Sequence, residues 1–148
     1  MRIKNNRLVA NCNALAKEIY NILSSNYEKS PWTLKQIKDD MNLPSSLYFL
    51  AYDDKKNLVG FMATVQVVDE TEITNIAVSS DSQRQGIAEA LLSQLNERQG
   101  ILFLEVREGN FPARRLYQKL GFEEFNRRKS YYSNPVEDAL LMKKEQFL

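Results

Sequence analysis

No histidine occurs among the 148 residues, and the only cysteine is Cys12. The first absence removes the commonest side-chain base at neutral pH and the commonest metal ligand, and a lone cysteine excludes an internal disulfide. No metal site is therefore expected, and no histidine-based triad. Cys12 falls on a helical stretch with nothing to activate it, so a small buried thiol is expected there rather than a nucleophile. No run approaches the about 18 consecutive apolar residues that a membrane helix requires, and the opening MRIKNNRLVANCNALAKEIY lacks the unbroken apolar segment of a signal peptide. A cytoplasmic chain without membrane contact is expected. An excess of one charge is also missing: 20 basic residues face 19 acidic ones, for a net charge of +1. Such a balance creates no field that draws in nucleic acid, and direct nucleic-acid binding is not expected; the cluster Arg127-Arg128-Lys129 reads as a solvated turn. There is no repeat, linker or low-complexity segment, so residues 1–148 are expected to form one domain, with 43% apolar residues to build its core.

Apolar spacing supplies the elements. Ala14, Leu15, Ile19, Ile22 and Leu23 recur at steps of three and four, which predicts an amphipathic helix over 13–23. Thr33 followed by Gln36 is a capping-box pattern and predicts a second helix ending near Met41. Leu47–Tyr52, Leu58–Val68 and Thr71–Val78 are rich in aromatic and β-branched residues, separated by polar breaks, and predict three strands in an antiparallel meander. A helix over 88–98, a strand over 101–106, a helix over 111–120 stopped at Gly121, and strands over 122–125 and 139–142 complete the order ααβββαβαββ. That order is a mixed α/β arrangement.

Between the strand ending at Val78 and the helix that follows lies Gln83-Arg84-Gln85-Gly86-Ile87-Ala88. A helix start exposes unpaired N–H groups and the positive end of the helix dipole, and a glycine lets backbone approach an anion closely, so a pyrophosphate fits this position. Taken alone, Gly86 is equally a plain turn and Arg84 a solvated charge. No Gly-Lys-Ser/Thr follows, which excludes a P-loop, and the further glycines of a dinucleotide fingerprint are missing.

The pattern Gln/Arg-x-x-Gly-x-Gly/Ala in Gln83–Ala88, following Asn75-Ile76-Ala77-Val78, resembles the coenzyme A signature of the GCN5-related N-acetyltransferases (GNAT). The resemblance continues through Leu102-Phe103-Leu104-Glu105-Val106-Arg107, Asn110, and Ala113-Arg114-Arg115-Leu116-Tyr117-Gln118-Lys119-Leu120-Gly121-Phe122. Pro31-Trp32, Tyr131-Tyr132 and Glu137-Asp138-Ala139-Leu140-Leu141-Met142 further resemble its RimI-like branch, whose members acetylate the N-terminal alanine of a small-subunit ribosomal protein. The similarity runs from about Trp32 onward. Two departures stand in the loop: Ala88 in place of a second glycine, and Glu89 where a basic residue often follows, a charge that weakens anion binding unless it points away.

The resemblance implies an α+β fold with a twisted, mostly antiparallel mixed sheet flanked by helices, and acetyl-CoA as cosubstrate. Ile76, Ala77 and Val78 would pair with the pantetheine, Arg84, Gln85, Gly86, Ile87, Ala88 and Glu89 would surround the pyrophosphate, and Asn110 would bond the pantetheine arm. Glu105 would be the general base and Tyr117 the general acid, with transfer direct to the amine. From the residues alone, Glu105 is as readily an exposed strand residue, Tyr117 a core aromatic and Asn110 a helix cap. Trp32, Tyr131 and Tyr132 are candidates to line a peptide groove, with Asp39, Asp40, Glu137 and Asp138 available to meet a basic peptide residue; core packing or plain surface is the alternative for each. The expected acceptor is a protein N-terminus, most specifically a ribosomal protein's alanine. A small-molecule amine, a protein lysine, or a coenzyme A-binding module without catalysis are the rival readings.

Overall fold

A computed structural model describes residues 1–9, 11–27 and 30–147. Its elements are β1 (Arg2–Asn5), α1 (Cys12–Asn26), α2 (Leu34–Met41), β2 (Ser46–Tyr52), β3 (Leu58–Val67), β4 (Glu70–Val78), α3 (Ile87–Ser93), β5 (Gly100–Arg107), α4 (Phe111–Lys119), β6 (Glu123–Tyr132) and β7 (Glu137–Gln146). The chain divides into two compact units, Met1–Gln66 with Asn75–Glu97 and Val67–Thr74 with Arg98–Leu148, so that β4 passes from one to the other along its length.

In the first unit the strands follow the order β1-β2-β3-β4. Local rules account for the helices. Asn11 Oδ1 accepts from the Ala14 N–H at 3.1 Å to start α1. Thr33 and Gln36 close the expected capping box, with Gln36 N–H donating to Thr33 Oγ1 at 3.1 Å and Thr33 N–H to Gln36 Oε1 at 2.8 Å. The apolar stripes of α1 (Leu15, Ile19, Leu23) and α2 (Ile37, Met41) form a core with Tyr48 and Leu50 of β2 and Phe61 of β3. Each such side chain contributes roughly 1.5–3 kcal/mol by leaving water. The fully buried Tyr48 stacks on Phe61 with ring centroids 6.2 Å apart and donates its hydroxyl to Asp40 Oδ2 at 2.5 Å, which ties α2 to β2. Burial, then the bond to Asp40, pushes the Tyr48 phenol well above its ordinary pKa.

The second unit runs β4-β5-β7-β6. β4 pairs with β5 in parallel from Glu70↔Ile101 to Ile73↔Leu104. The remaining pairs are antiparallel, β5 with β7 from Gly100↔Gln146 to Arg107↔Ala139 and β7 with β6. Its buried apolar residues include Ile73 of β4, Leu102, Leu104 and Val106 of β5, Ala139, Leu140 and Met142 of β7, Tyr117 of α4 and Phe122.

The mixed sheet with flanking helices agrees with the sequence reading, which differs from the structure at β1, α3, β6, β7 and Cys12. β1 was not anticipated, because Arg2-Ile3-Lys4-Asn5 carries one apolar residue; it exists through its pairing with β2, Ile3 opposite Ala51. α3 stops at Ser93 rather than near 98, although Leu95 is buried beyond it. β6 and β7 reach Tyr132 and Gln146, well past the short strands expected, since all of β6 except Tyr132 is exposed and shows no alternation of apolar residues. Cys12 is exposed and not the buried thiol expected: its spacing puts it on the face of Leu15 and Ile19, but all of the first turn, Cys12–Ala14, is exposed and burial begins only at Leu15.

Candidate active site

In the first unit, the end of β4 is held from one side. The Val78 carbonyl accepts from Asn26 Nδ2 of α1 at 2.7 Å and from Gln83 Nε2 at 3.3 Å, and Gln83 also bonds the Asn26 side-chain oxygen. Ser79 N–H donates to the Val59 carbonyl at 2.8 Å. Ile76, Ala77 and Val78 are half-buried on this braced strand, with Ala77 packed against the core. Gln83 is thus a loop brace, a role its place in the motif did not reveal.

Beyond it, Arg84 and Gly86 take left-handed backbone angles, with φ of 65° and 77°. At Gly86 this conformation is the reason for glycine, since an added Cβ would meet nothing within 4 Å. Gly86 caps α3 and, having no side chain, leaves the first turn without a side-chain acceptor; buried Ile87 anchors the turn while Arg84 and Gln85 are exposed. Ala88 and Glu89 are half-buried. An exposed guanidinium beside an uncapped helix start is an arrangement that receives an anion. Trp32, also in this unit, is half-buried against the α1–α2 core, and its carbonyl accepts from Ser30 Oγ at 2.6 Å.

In the second unit, β5 alternates strictly. Leu102, Leu104 and Val106 are buried, while Ile101, Phe103, Glu105 and Arg107 share the other, half-exposed face. Glu105 keeps 28% of its side chain exposed, and its Oε1 lies 3.5 Å from Arg128 Nη2 of β6. The Arg128 guanidinium sits 5.3 Å over the Tyr131 ring, and Tyr131 meets Tyr132 edge to face at 5.2 Å. Glu105, Arg128 and the tyrosine pair therefore form one connected surface. Asn110 caps α4, its Oδ1 accepting from Ala113 N–H at 3.3 Å, and Tyr117 is buried on α4 with its ring 6.0 Å from Phe122.

Sequence reasoning missed Arg107 and Arg128, which are the two arginines nearest these aromatics; two cation–aromatic contacts mark them, and only strand pairing discloses those. It also took four carboxylates as available to a peptide that have partners in the fold. Asp39 pairs with Lys35 at 2.7 Å, Asp40 accepts from Tyr48 and Ser46, Glu137 binds Arg107 and the Gly109 N–H, and Asp138 binds Arg127 and the Ser130 N–H. Arg127 is itself enclosed by Glu108 at 2.9 Å, Asp138 at 3.1 Å and Glu124 at 3.7 Å, and the bonds to Glu108 and Asp138 raise its pKa.

The comparisons with known proteins agree with this architecture. The acetyltransferase (GNAT) family profile matches residues 16–122. The ribosomal protein bS18-alanine N-acetyltransferase of Escherichia coli K12 is 38% identical over 119 residues, covering 76% of this chain and 79% of that one. Its Haemophilus influenzae counterpart is 36% identical over 121 residues, covering 76% and 80%. A crystal structure of the ribosomal-protein-S18-alanine N-acetyltransferase from Escherichia coli superposes with a TM-score of 0.84 at 31% identity, over 99% of this chain and 96% of that one. A family match spanning most of the chain, joined to relatives above 30% identity over three quarters of it, places this protein in the GNAT family of acetyltransferases.

Proposed function

We propose that this chain transfers the acetyl group of acetyl-CoA directly to the α-amino group of an N-terminal alanine on a small-subunit ribosomal protein, in the cytoplasm, with residues 1–148 acting as one domain. The observation that carries the acceptor is the likeness, over 99% of the chain, to an enzyme named for that alanine. The family match at 16–122 draws on residues of both compact units, which supports treating them as one functional domain. Among the described residues no helix is long and apolar enough to cross a membrane.

Acetyl-CoA is the donor in this reading. The exposed Arg84, the left-handed Gly86 and the uncapped start of α3 suit its pyrophosphate, with Gln85, Ile87, Ala88 and Glu89 around them. The β4–β5 pairing covers Glu70–Ile73, and Ile76–Val78 lie beyond it on β4, where their amides would serve the pantetheine. Asn110, whose Oδ1 caps α4, would add its side-chain amide.

The chemistry follows from the face that Glu105 shares with Arg107. Glu105, acting directly or through water, takes the proton from the attacking amine as its nitrogen bonds the acetyl carbon. The carbon–sulfur bond then breaks, and the Tyr117 hydroxyl protonates the departing thiolate. An α-amino group titrates near ~8 and a lysine near ~10.4, so at neutral pH the former offers roughly a hundredfold more neutral amine, within reach of a carboxylate base. Tyr131 and Tyr132 would line the acceptor groove, and the sequence also offers Trp32, in the first unit, as an acceptor contact.

The test supplies acetyl-CoA with a peptide bearing a free N-terminal alanine, its blocked counterpart, a lysine peptide and a set of small amines. Acetylation confined to the free alanine is expected, with kcat/KM lowered by roughly 10²–10⁴ in Glu105→Gln. An unmodified peptide beside an acetylated small amine would overturn the acceptor, and full activity in Glu105→Gln would overturn the base.

A further inference from the structure

Arg107 follows Glu105 by two residues, so the alternation of β5 puts both on one face. Its guanidinium lies 4.3 Å over the Tyr132 ring. Nη1 donates to Glu137 Oε1 at 3.2 Å and to the Pro135 carbonyl at 3.3 Å, and Nη2 donates to the Ser133 carbonyl at 3.3 Å. One side chain thereby grips both arms of the β6–β7 turn. The second oxygen of Glu137 accepts the Gly109 N–H at 2.7 Å, in the turn that leads to Asn110. The approach is close: a Cβ at 109 would stand 2.6 Å from Glu137 Oε2, so the Glu137 carboxylate would have to shift to admit one. With 32% and 23% of their side chains exposed, Arg107 and Glu137 are better shielded than most ion pairs among the described residues.

We propose that Arg107, coupled to Glu137, is a positioning residue that sets the Tyr131–Tyr132 segment relative to Glu105 and so determines how well the acceptor amine is held. This rests on the reading above, in which those tyrosines line the acceptor groove and Glu105 is the base. The planar fork of arginine supplies ring stacking and bonds to two carbonyls together, which a lysine point charge does not reproduce. Because the node lies on the acceptor aromatics, its loss falls on acceptor binding before it falls on the donor.

Steady-state kinetics of Arg107→Lys and Glu137→Gln test this, with each substrate varied in turn. In each variant the acceptor KM is expected to rise about tenfold, with the acetyl-CoA KM and kcat held within about twofold. Arg107→Lys combined with Glu137→Gln should be no worse than the more affected single variant, because the two changes break one unit. Hydrogen exchange in residues 131–137 should quicken at least about tenfold in either variant, a readout that needs no turnover. Unchanged exchange, an unchanged acceptor KM, or a rise in both KM values together with a fall in kcat and a lowered melting midpoint would overturn the proposal. If Arg107→Lys fails to fold, Glu137→Gln decides by the same criteria. A wild-type protein that ignores the alanine peptide defeats the acceptor assignment alone, and the exchange measurement, with kinetics on whichever amine is accepted, still judges the node.

Discussion

Glu105 and Tyr117 show how much a single residue discloses. Glu105 interrupts an apolar strand, which marks it as a residue either solvated or in use; that it faces Arg128 follows from the β5–β7–β6 pairing, which no local pattern contains. Tyr117 is buried, as its helical spacing beside Leu116 and Leu120 implies, and its ring meets Phe122 edge to face. Burial does not exclude a role as acid, since only the hydroxyl need reach the thiolate. Tyr117→Phe keeps the ring and removes the proton. A fall in kcat of about 10–100-fold with little change in melting midpoint is expected if the hydroxyl serves as acid. A lowered midpoint with unchanged kcat would make Tyr117 a packing residue alone.

Among the elements, the clearest local signals were caps and turns. The Thr33–Gln36 box was legible because both partners lie within four residues, and Thr33→Ala should lower stability by about 1 kcal/mol in a denaturant titration. The loop before α3 was legible as a glycine turn at a helix start, though the left-handed conformation of Arg84 was not. Gly86→Ala adds a Cβ that clashes with nothing but holds an unfavourable φ, at a cost of about 1–2 kcal/mol. In the proposed function the same change raises the acetyl-CoA KM and leaves the acceptor KM alone; an unaltered donor KM would remove this loop from the site. β6 was barely legible. Its polar, exposed residues give no period to read, and its shape comes from β7, including the register shift between Arg128 and Tyr132 where Ser130 takes φ 50° and donates its N–H to Asp138 at 2.9 Å.

For the molecule as a whole, near-neutral net charge leaves pH dependence to individual groups. The Ser130 N–H, then Arg127, hold the Asp138 carboxyl below its ordinary range. The Asn57 N–H does the same for Asp53. A carboxyl depressed in the folded state takes up its proton at higher pH in the unfolded chain, so its contribution is present above about pH 4 and is lost as pH falls toward the folded value. Melting midpoints recorded between pH 7 and 3 should therefore decline less steeply below about pH 4 in Asp138→Asn than in the wild type. Parallel curves would show that these bonds do not couple to folding. By itself the sequence determined the helical stripes that form the core and the loop before α3, because periodicity, capping and turn chemistry act over a few residues, and its resemblance to the motifs of the family carried the family and the α+β class. Only the tertiary structure decided the partners of the polar side chains. Arg107 and Glu137 stand 30 residues apart, and Arg128 meets Glu105 across intervening β7; such contacts exist because strand register aligns distant segments, and register is set by the packing of the whole sheet rather than by any stretch of it.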